Sequence, residues 1–310
     1  MIITVTLNPA LDKTIVVRNF AVNHVCRVEE SRLDPGGKGI NVSKVLQSLG
    51  GRSVAIGIIG GAAGEYIRDQ LDLMGIRNDF VFSRTETRTN MKVVDPEGHT
   101  NTDINEPGAP VSASNLLEIW EKISDLANPG DTVVFAGKNP PGMSDHQLAE
   151  WITRLKEQGI RTALDTVGMA MKIGVAAGPT VIKPNSAELE ELCEKELPTR
   201  DDQVAAARKV VANGVSYVVV SLGEDGALFV TSGQALHAHG VSVPVGSTVG
   251  AGDSMLASFL WDLEQGTPLE EAAARAVAVS AANVMCSGSQ PAPMEQILPL
   301  IGQVRVEALT

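Results

Sequence analysis

The order of helix-like and strand-like segments between residues 112 and 221 constrains the fold most. The apolar spacing predicts helices over 112–126, 144–158, 185–194 and 201–213, and strands over 132–136, 161–165, 180–182 and 217–221. Strands that alternate with helices in this way favour a mostly parallel sheet covered by helices on both faces. Apolar residues make up 44% of the chain and aromatic residues only 4%, so we expect a core of Val, Ile, Leu and Ala.

Segments on either side extend the same α/β pattern. We predict buried strands over 2–7 and 54–59, helices over 40–49 and 63–74, and a hairpin over 227–230 and 235–239. Two helices, 255–265 and 269–285, are expected to close the chain. The prediction is therefore one domain over residues 1–310 with a three-layer αβα arrangement.

Two polar segments, 12–33 and 81–105, do not fit a doubly wound core. They are β-like, and Asp95-Pro96-Glu97-Gly98 has the residues of a hairpin turn. We expect them to form a small β-sheet, inserted in the core and projecting as a lid over the site. A small sheet needs a partner surface, so we also expect a homodimer through the lid. Two decorated hairpins on a monomer are the alternative.

The stretch from Thr248 to Asp253 reads Thr-Val-Gly-Ala-Gly-Asp and leads into an apolar-periodic run. The glycines Gly250 and Gly252 permit close approach of a ligand, and the first N–H groups of the following helix form an anion hole. Because a carboxylate does not stabilise a phosphate, Asp253 is expected to accept a proton from an attacking hydroxyl. A glycine turn in which Asp253 only favours the helix N-terminus is the alternative.

Two further loops follow predicted strands, where doubly wound sheets bind ligands. Asn185 and Glu188 are three residues apart at a helix start, a spacing that suits the hydrated Mg²⁺ of an ATP complex; simple N-capping by Asn185 explains it equally. Ser221 to Gly226 contains glycines that could place backbone N–H groups against a nucleotide, although a plain strand-to-hairpin turn has the same composition.

The net charge of −12 argues against nucleic-acid and anionic-membrane partners and requires positive charge to be concentrated locally if the substrates are phosphorylated. The cations expected to face a substrate phosphate are Lys38, Arg88, Lys92 and Lys138. Asp12 and Asn41 could bind sugar hydroxyls. For Arg88, an ordinary surface position is the alternative.

Other signals narrow the class of protein. The sequence contains neither a G-x-x-x-x-G-K-[ST] motif nor a G-x-G-x-x-G after the first strand, which disfavours P-loop and nicotinamide-dependent enzymes. Three widely separated cysteines, the absence of a signal-like N-terminus and the absence of an apolar membrane span favour a cytoplasmic location.

Five motifs in order resemble those of the PfkB (ribokinase-like) carbohydrate kinases, in the branch of 1-phosphofructokinase and tagatose-6-phosphate kinase. They are Thr6-Leu-Asn-Pro-Ala-Leu-Asp12, Gly36-Gly-Lys-Gly-Ile-Asn41, Thr87-Arg-Thr-Asn-Met-Lys92, Lys183-Pro-Asn-Ser-Ala-Glu188 and Thr248-Val-Gly-Ala-Gly-Asp253. The resemblance covers essentially the whole chain and implies a ribokinase-like fold, with ATP as co-substrate, Mg²⁺ as cofactor and a ketohexose phosphate as the acceptor.

The resemblance also implies roles for individual residues. Asp253 would be the catalytic base, with Gly250, Ala251 and Gly252 as the anion hole. The substrate would be bound by Asp12, Gly37, Lys38, Asn41, Arg88, Asn90 and Lys138, with Lys38 and Arg88 on its existing phosphate. The ATP site would comprise Lys183, Asn185, Ser221, Gly223, Glu224, Gly226, Gly252 and Asn283, and the metal would be held by Asn185 and Glu188 through water.

One loop departs from the pattern of this branch. The stretch Ala136-Gly-Lys-Asn-Pro-Pro-Gly142 has Lys138 and Asn139 where the branch usually has Ser-Leu, which bears on the substrate more than on the reaction. The expected reaction is phosphorylation of fructose 1-phosphate to fructose 1,6-bisphosphate. The alternatives are a tagatose-6-phosphate kinase or 6-phosphofructokinase of the same branch, and a non-catalytic nucleotide- or sugar-binding regulator.

Overall fold

The computed structural model of the protein describes residues 1–309, which form two β-sheets and the helices around them. The strands are β1 (Ile2–Thr6), β2 (Ala10–Val16), β3 (Glu30–Gly36), β4 (Ser53–Ile59), β5 (Arg77–Asn78), β6 (Val81–Phe82), β7 (Arg88–Asp95), β8 (Thr100–Ile104), β9 (Thr132–Ala136), β10 (Arg161–Asp165), β11 (Val181–Ile182), β12 (Tyr217–Ser221), β13 (Ala227–Val230), β14 (Ala235–Ala238) and β15 (Val306–Leu309). The helices are α1 (Lys38–Ser48), α2 (Gly61–Leu73), α3 (Ala113–Leu126), α4 (Asp145–Glu157), α5 (Gly168–Ala176), α6 (Ser186–Cys193), α7 (Arg200–Ala212), α8 (Ala251–Gln265), α9 (Leu269–Val284) and α10 (Met294–Ile301).

The large sheet has eleven strands in the order β15-β14-β13-β12-β11-β10-β9-β1-β4-β5, with β6 also paired to β4. Neighbouring strands from β12 to β5 along this order pair in parallel, as do β4 and β6. The pairs β12–β13, β13–β14 and β14–β15 are antiparallel. The mostly parallel sheet expected from the strand–helix alternation is therefore confirmed.

Two helical layers cover this sheet because its strands carry apolar side chains on both faces. In β4, Val54, Ile56 and Ile58 join the core under α3 to α7, whereas the alternate residues Ala55 and Ile59 pack with α1 and α2. The helices α8, α9 and α10 pack on the same side as α1. This is the three-layer αβα arrangement.

Side-chain caps set several helix starts where the sequence predicts them. The Ser112 side chain accepts from the N–H of Asn115 at the start of α3, and Ser144 accepts from the N–H of Gln147 at the start of α4. Helix α5 was not predicted, since Gly168 and Gly174 weaken its helical pattern.

The expectation that two helices close the chain is wrong, because α10 and β15 follow α9. Helix α10 contains Pro299, which breaks the usual helical signature, and β15 is a short strand that pairs antiparallel with β14.

The small sheet, called the lid below, has the strand order β3-β2-β7-β8. Strands β2 and β7 run parallel although 71 residues separate Val16 from Arg88, and the β7–β8 hairpin turns at Asp95, as predicted. The predicted limits of 12–33 and 81–105 need correction. Val81 is fully buried, and β6 pairs with β4 in the large sheet. Residues 17–29 lie between strands β2 and β3 and belong to neither. Within residues 1–309, no helix is long and apolar enough to cross a membrane.

Candidate active site

A cleft of about 960 Å³ lies at the carboxyl ends of the parallel strands, between the large sheet and the lid. Its wall brings together thirteen of the residues predicted for the site from distant parts of the sequence. They are Gly37, Lys38, Asn41, Arg88, Asn90, Lys138, Lys183, Asn185, Glu188, Ser221, Gly250, Gly252 and Asp253.

Other predicted residues lie outside the wall of this cleft. Asp12 lines an adjoining cavity of about 220 Å³ that also includes Asn90. Ala251 is the first residue of α8, and Asn283 lies behind the turn, where its Nδ2 donates to the Val249 carbonyl at 3.3 Å. Three residues near the end of β12 also lie outside the wall: Gly223, Glu224 and Gly226.

The turn before α8 has the geometry that its sequence predicts. Gly250 is the N-cap residue with φ of 79°, a left-handed conformation that glycine adopts readily. The N–H groups of Gly252 and Asp253 fall in the first helical turn, where the helix supplies no acceptor. A Cβ on Gly252 would lie 3.0 Å from Lys183 Nζ, so this lysine adds positive charge beside the same turn. The turn can therefore bind an anion.

Asp253 projects from this turn into a buried position, with 6% of the residue exposed. Its Oδ2 accepts a hydrogen bond of 2.8 Å from Asn41 Nδ2 on α1. Burial, together with the negative charge of Asp165, raises the pKa of Asp253 to about 6, although Lys38, Asn41 and Lys183 act in the opposite direction. A carboxylate that titrates close to neutrality is suited to general-base catalysis.

Asp165 is a residue of this region that the sequence analysis missed. It ends β10, is fully buried, and accepts a hydrogen bond of 2.7 Å from Lys38 Nζ. Lys183 Nζ lies 3.3 Å from its other oxygen, an ion-pair contact rather than a well-aligned hydrogen bond. Despite burial, these two lysines hold the pKa of Asp165 below its usual range. A charged residue that ends an apolar strand was the available signal.

The same contact fixes the charge of Lys38. Burial lowers the pKa of this lysine, but the charges of Asp165 and Asp253 outweigh burial and raise the pKa above the usual range. Lys38 is therefore a permanent cation beside Asp253, at the end of the cleft formed by α8. This position differs from the role on the substrate's existing phosphate that the resemblance implies.

The lid supplies a second carboxylate. Asp12 on β2 faces Asn90 on β7, and Asn90 Nδ2 donates to Asp12 Oδ1 at 2.9 Å. A Cβ on Gly36 would lie 2.0 Å from Asp12 Oδ2, so only glycine leaves room for this carboxylate. Burial raises the pKa of Asp12, against the effects of Asn90, Lys44 and Arg88. This carboxylate and amide can accept from and donate to hydroxyl groups.

Arg88 begins β7 and lies at the cleft wall with its guanidinium bound to three carbonyl oxygens. The acceptors are those of Pro9, Glu106 and Asn8, at 3.3, 2.8 and 2.9 Å. A guanidinium carries more N–H donors than these three bonds occupy, so donors remain for an anion.

The loop with the unusual sequence also faces the cleft. Lys138 is exposed at the cleft wall, and Asn139 Nδ2 donates to Asp145 Oδ1 at 2.8 Å at the start of α4. Asn139 thus anchors the loop, and Lys138 presents its charge at the mouth of the cleft. The remaining predicted cation, Lys92, pairs with Asp103 across the lid at 2.9 Å.

Asn185 and Glu188 form a reciprocal capping box at the start of α6. Asn185 Oδ1 accepts from the N–H of Glu188 at 2.9 Å, and Glu188 Oε2 accepts from the N–H of Asn185 at 2.8 Å. The structural alternative considered for this pair is thus present, and both side chains also line the cleft. In the described part of the chain, no group of three or more His, Cys, Asp or Glu side chains is arranged to hold a metal ion.

The sequence of the chain matches one family along most of its length. The model of the pfkB family of carbohydrate kinases matches residues 5–297. A 1-phosphofructokinase of Vibrio cholerae is 34% identical over 308 residues, which cover 99% of this chain and 97% of that protein. A 1-phosphofructokinase of Escherichia coli is 33% identical over 308 residues, with coverage of 98% and 97%.

Solved structures resemble the whole fold. Phosphofructokinase-2 from Escherichia coli, in complex with substrates and products, has a TM-score of 0.94 and 31% identity, and the match covers 98% of this chain and 99% of that chain. A ribokinase from Thermotoga maritima, at 22% identity, has a TM-score of 0.79, with coverage of 97% and 99%. The expected ribokinase-like fold is confirmed.

Proposed function

The chain belongs to the pfkB family of carbohydrate kinases, and from this premise we propose that it transfers the γ-phosphoryl group of ATP to fructose 1-phosphate, giving fructose 1,6-bisphosphate. One observation carries the proposal: Asp253 is a buried carboxylate with a pKa of about 6 beside a helix N-terminus and two lysines. A base, an anion hole and local positive charge are the parts that phosphoryl transfer requires.

Asp253 would act on the hydroxyl group of the acceptor. Its carboxylate takes the hydroxyl proton while the sugar oxygen forms a bond to the γ-phosphorus and the bond to the ADP oxygen breaks. Asn41 holds one carboxylate oxygen at 2.8 Å and thereby orients the base. In the protonated form the side chain cannot accept the proton, so activity is expected to fall below pH ~6.

The anion hole and the two lysines would stabilise the transferring group. N–H groups of Gly252 and Asp253 at the start of α8 face charge that develops on the phosphoryl oxygens. Lys183 is beside Gly252 and Lys38 is held by Asp165. We therefore assign Lys38 to the transferring group rather than to the phosphate already present on the sugar.

The sugar and its existing phosphate would lie toward the lid. Asp12, Asn90, Gly37 and Asn41 would bind sugar hydroxyls, and the room that Gly36 leaves for the Asp12 carboxylate supports this role. Arg88 and Lys138 would bind the existing phosphate. Arginine suits bidentate phosphate contacts, and Lys138 contributes a point charge at the mouth.

ATP would occupy the part of the cleft nearest α6 and β12. Lys183, Asn185 and Ser221 line this part, and the turn over Gly223, Glu224 and Gly226, together with Asn283, would support it from outside the wall. The donor set of Asn185 and Glu188 fits a hydrated Mg²⁺, because the capping box leaves a second carboxylate oxygen on Glu188 and magnesium favours few direct protein ligands. When bound, Mg²⁺ would neutralise phosphate charge.

A panel of phosphosugars tests the proposal. ADP release is coupled to an optical signal with fructose 1-phosphate, tagatose 6-phosphate or fructose 6-phosphate as the acceptor. We expect the highest kcat/KM for fructose 1-phosphate, and we expect Asp253→Asn to reduce kcat by about 10²–10⁴-fold. Turnover of none of the three sugars would refute the kinase assignment. Tight ligand binding without ADP formation would then support a regulator.

A second candidate acceptor is fructose 6-phosphate. Phosphofructokinase-2 from Escherichia coli has been solved in complex with fructose-6-phosphate, and its similarity to this chain, with a TM-score of 0.93 and 30% identity, favours this acceptor. In the same panel, a higher kcat/KM for fructose 6-phosphate would replace the first assignment. A higher value for tagatose 6-phosphate would identify the remaining member of the branch.

We also propose that the protein is a homodimer that associates through the lid. Exposed apolar side chains on and near the lid strands include Phe20, Val22, Val25 and Ile104. Light scattering after gel filtration should give twice the chain mass, and Val25→Asp should shift the protein toward monomer. A monomeric unaltered protein would refute this assembly.

The three cysteines, all free, support a reducing, cytoplasmic location.

A further inference from the structure

Lys44 is a buried lysine on α1 that the roles above do not use. Only 4% of the residue is exposed, so its ammonium group has little access to water. A buried ammonium needs hydrogen-bond partners from the protein. Lys44 Nζ donates to the Pro35 carbonyl at 3.0 Å and to Ser289 Oγ at 2.9 Å.

These two partners belong to different parts of the fold. Pro35 is in lid strand β3, where it pairs with Leu11, immediately beside the Asp12–Asp34 pair. Ser289 is in the loop after α9 and is 6% exposed. A Cβ on Gly250 would lie 3.8 Å from the Cα and Cβ atoms of Ser289, so this serine packs against the anion-binding turn. One side chain thus joins the lid to the support of that turn.

The charges around Lys44 explain why an ammonium is retained there. Asp34 and Arg32 face it from β3, Asp12 faces it from β2, and Asp253 faces it from α8. Burial lowers the pKa of Lys44 to about 8, and the three carboxylates oppose that shift. Lys44 is therefore mostly protonated at pH 7.

We propose that Lys44 is a positioning residue that fixes the lid, with Asp12, relative to the turn that carries Asp253. This inference rests on the proposed function. Asp12 lies in the lid, whereas Asp253 lies on helix α8 beside the large sheet. Phosphoryl transfer requires the sugar and the anion hole to be aligned closely. The bonds from Lys44 to Pro35 and Ser289 supply a direct connection between the two.

The connection predicts a particular pattern of kinetic effects. Loss of the hydrogen bond between Lys44 and Ser289 should raise KM for the phosphosugar and lower kcat, because the lid and the turn before α8 then lose their common support. KM for ATP should change less than about twofold, since among the described residues Lys44 makes no hydrogen bond to Lys183, Asn185 or Ser221.

Ser289→Ala tests the connection with a small change. We expect kcat/KM for the phosphosugar to fall about tenfold, the scale for one hydrogen bond to a charged group. Ser287→Ala is the matched control, because Ser287 is in the same loop and exposed. That control should retain wild-type kinetics. Both variants should unfold at temperatures close to that of the unaltered protein.

Two Lys44 variants complete the test. Lys44→Met should lose at least as much activity as Ser289→Ala, and combining the two should cost no more than Lys44→Met alone. Lys44→Arg retains the charge and should restore part of the activity. Wild-type kcat/KM in folded Ser289→Ala, equal losses in Ser287→Ala, or additive losses in the double variant would overturn the positioning role. Absence of turnover in the unaltered protein would refute the proposed function, and this role with it.

Discussion

Replacing Asp253 by asparagine should make the protein more stable while it abolishes most of the activity. The native state holds this carboxyl group with a pKa of about 6, against 3.8 in its ordinary environment, mainly because it is buried and next because Asp165 is close. Between these two values the native state binds one more proton than the unfolded state. Stability therefore falls as the pH rises through this window, and the loss is complete above pH ~6.

The magnitude follows from the difference in pKa. A rise from 3.8 to about 6 corresponds to ~3 kcal/mol of unfolding free energy, at ~1.4 kcal/mol per pH unit. Asparagine is isosteric and neutral, and its Oδ1 can still accept the hydrogen bond from Asn41 Nδ2. The variant should therefore avoid this loss. For a chain of 310 residues, ~3 kcal/mol corresponds to a rise in Tm of roughly 5 °C.

Urea unfolding of the two proteins, followed by circular dichroism from pH 4 to pH 8, measures this difference. The advantage of Asp253→Asn should be near its maximum above pH ~6.5 and should disappear toward pH ~4. Asp125→Asn, at an exposed position on α3, is the control and should show no such trend. A difference that is independent of pH, or a variant less stable than the wild type at pH 8, would refute the assignment of a raised pKa to Asp253.

Three further outcomes follow from the same geometry. In a plot of kcat against pH, kcat should fall on the acid side with a midpoint near pH ~6. Asp165→Asn should move this midpoint to lower pH, because the charge of Asp165 contributes to the raised pKa of Asp253. An unchanged midpoint would contradict this coupling. Gly36→Ala should raise KM for the phosphosugar at least ~10-fold and leave KM for ATP unchanged, since the new Cβ would lie 2.0 Å from Asp12 Oδ2. Equal changes in both KM values would instead point to general unfolding. Glu188→Gln should increase the Mg²⁺ concentration needed for half-maximal rate several-fold, and an unchanged requirement would remove Glu188 from that role.

The large sheet could be predicted from the sequence because its strands and helices have clear periods. Strands β9, β10, β12 and β13 have the predicted limits, and Ser112 and Ser144 cap the helices they were expected to begin. Helix α5 was missed because its pattern is apolar almost all round and interrupted by glycine. The last strand was missed because a short edge strand carries little periodic signal.

The composition of the site was easier to predict than its internal pairing. Motifs placed Lys38, Lys183 and Asp253 in one cleft, and the structure agrees. The motifs themselves do not show that Asp165, at the end of β10, contacts Lys38 and Lys183, because tertiary packing brings these residues together. Lys44 was missed for the same reason. In the helical pattern of α1, Lys44 has the spacing of an ordinary polar residue, and only the fold shows that this lysine is buried.

The sharing of Asp165 by Lys38 and Lys183 bears on how the protein would release its product. Lys38, Lys183 and Asp165 have a combined charge of only +1. They therefore attract the negatively charged nucleotide but do not neutralise all of its charge. Its members also keep each other in place between turnovers, so little rearrangement is needed when a nucleotide arrives. A site with two unpaired lysines would retain a departing diphosphate more strongly, and turnover would then be limited by dissociation.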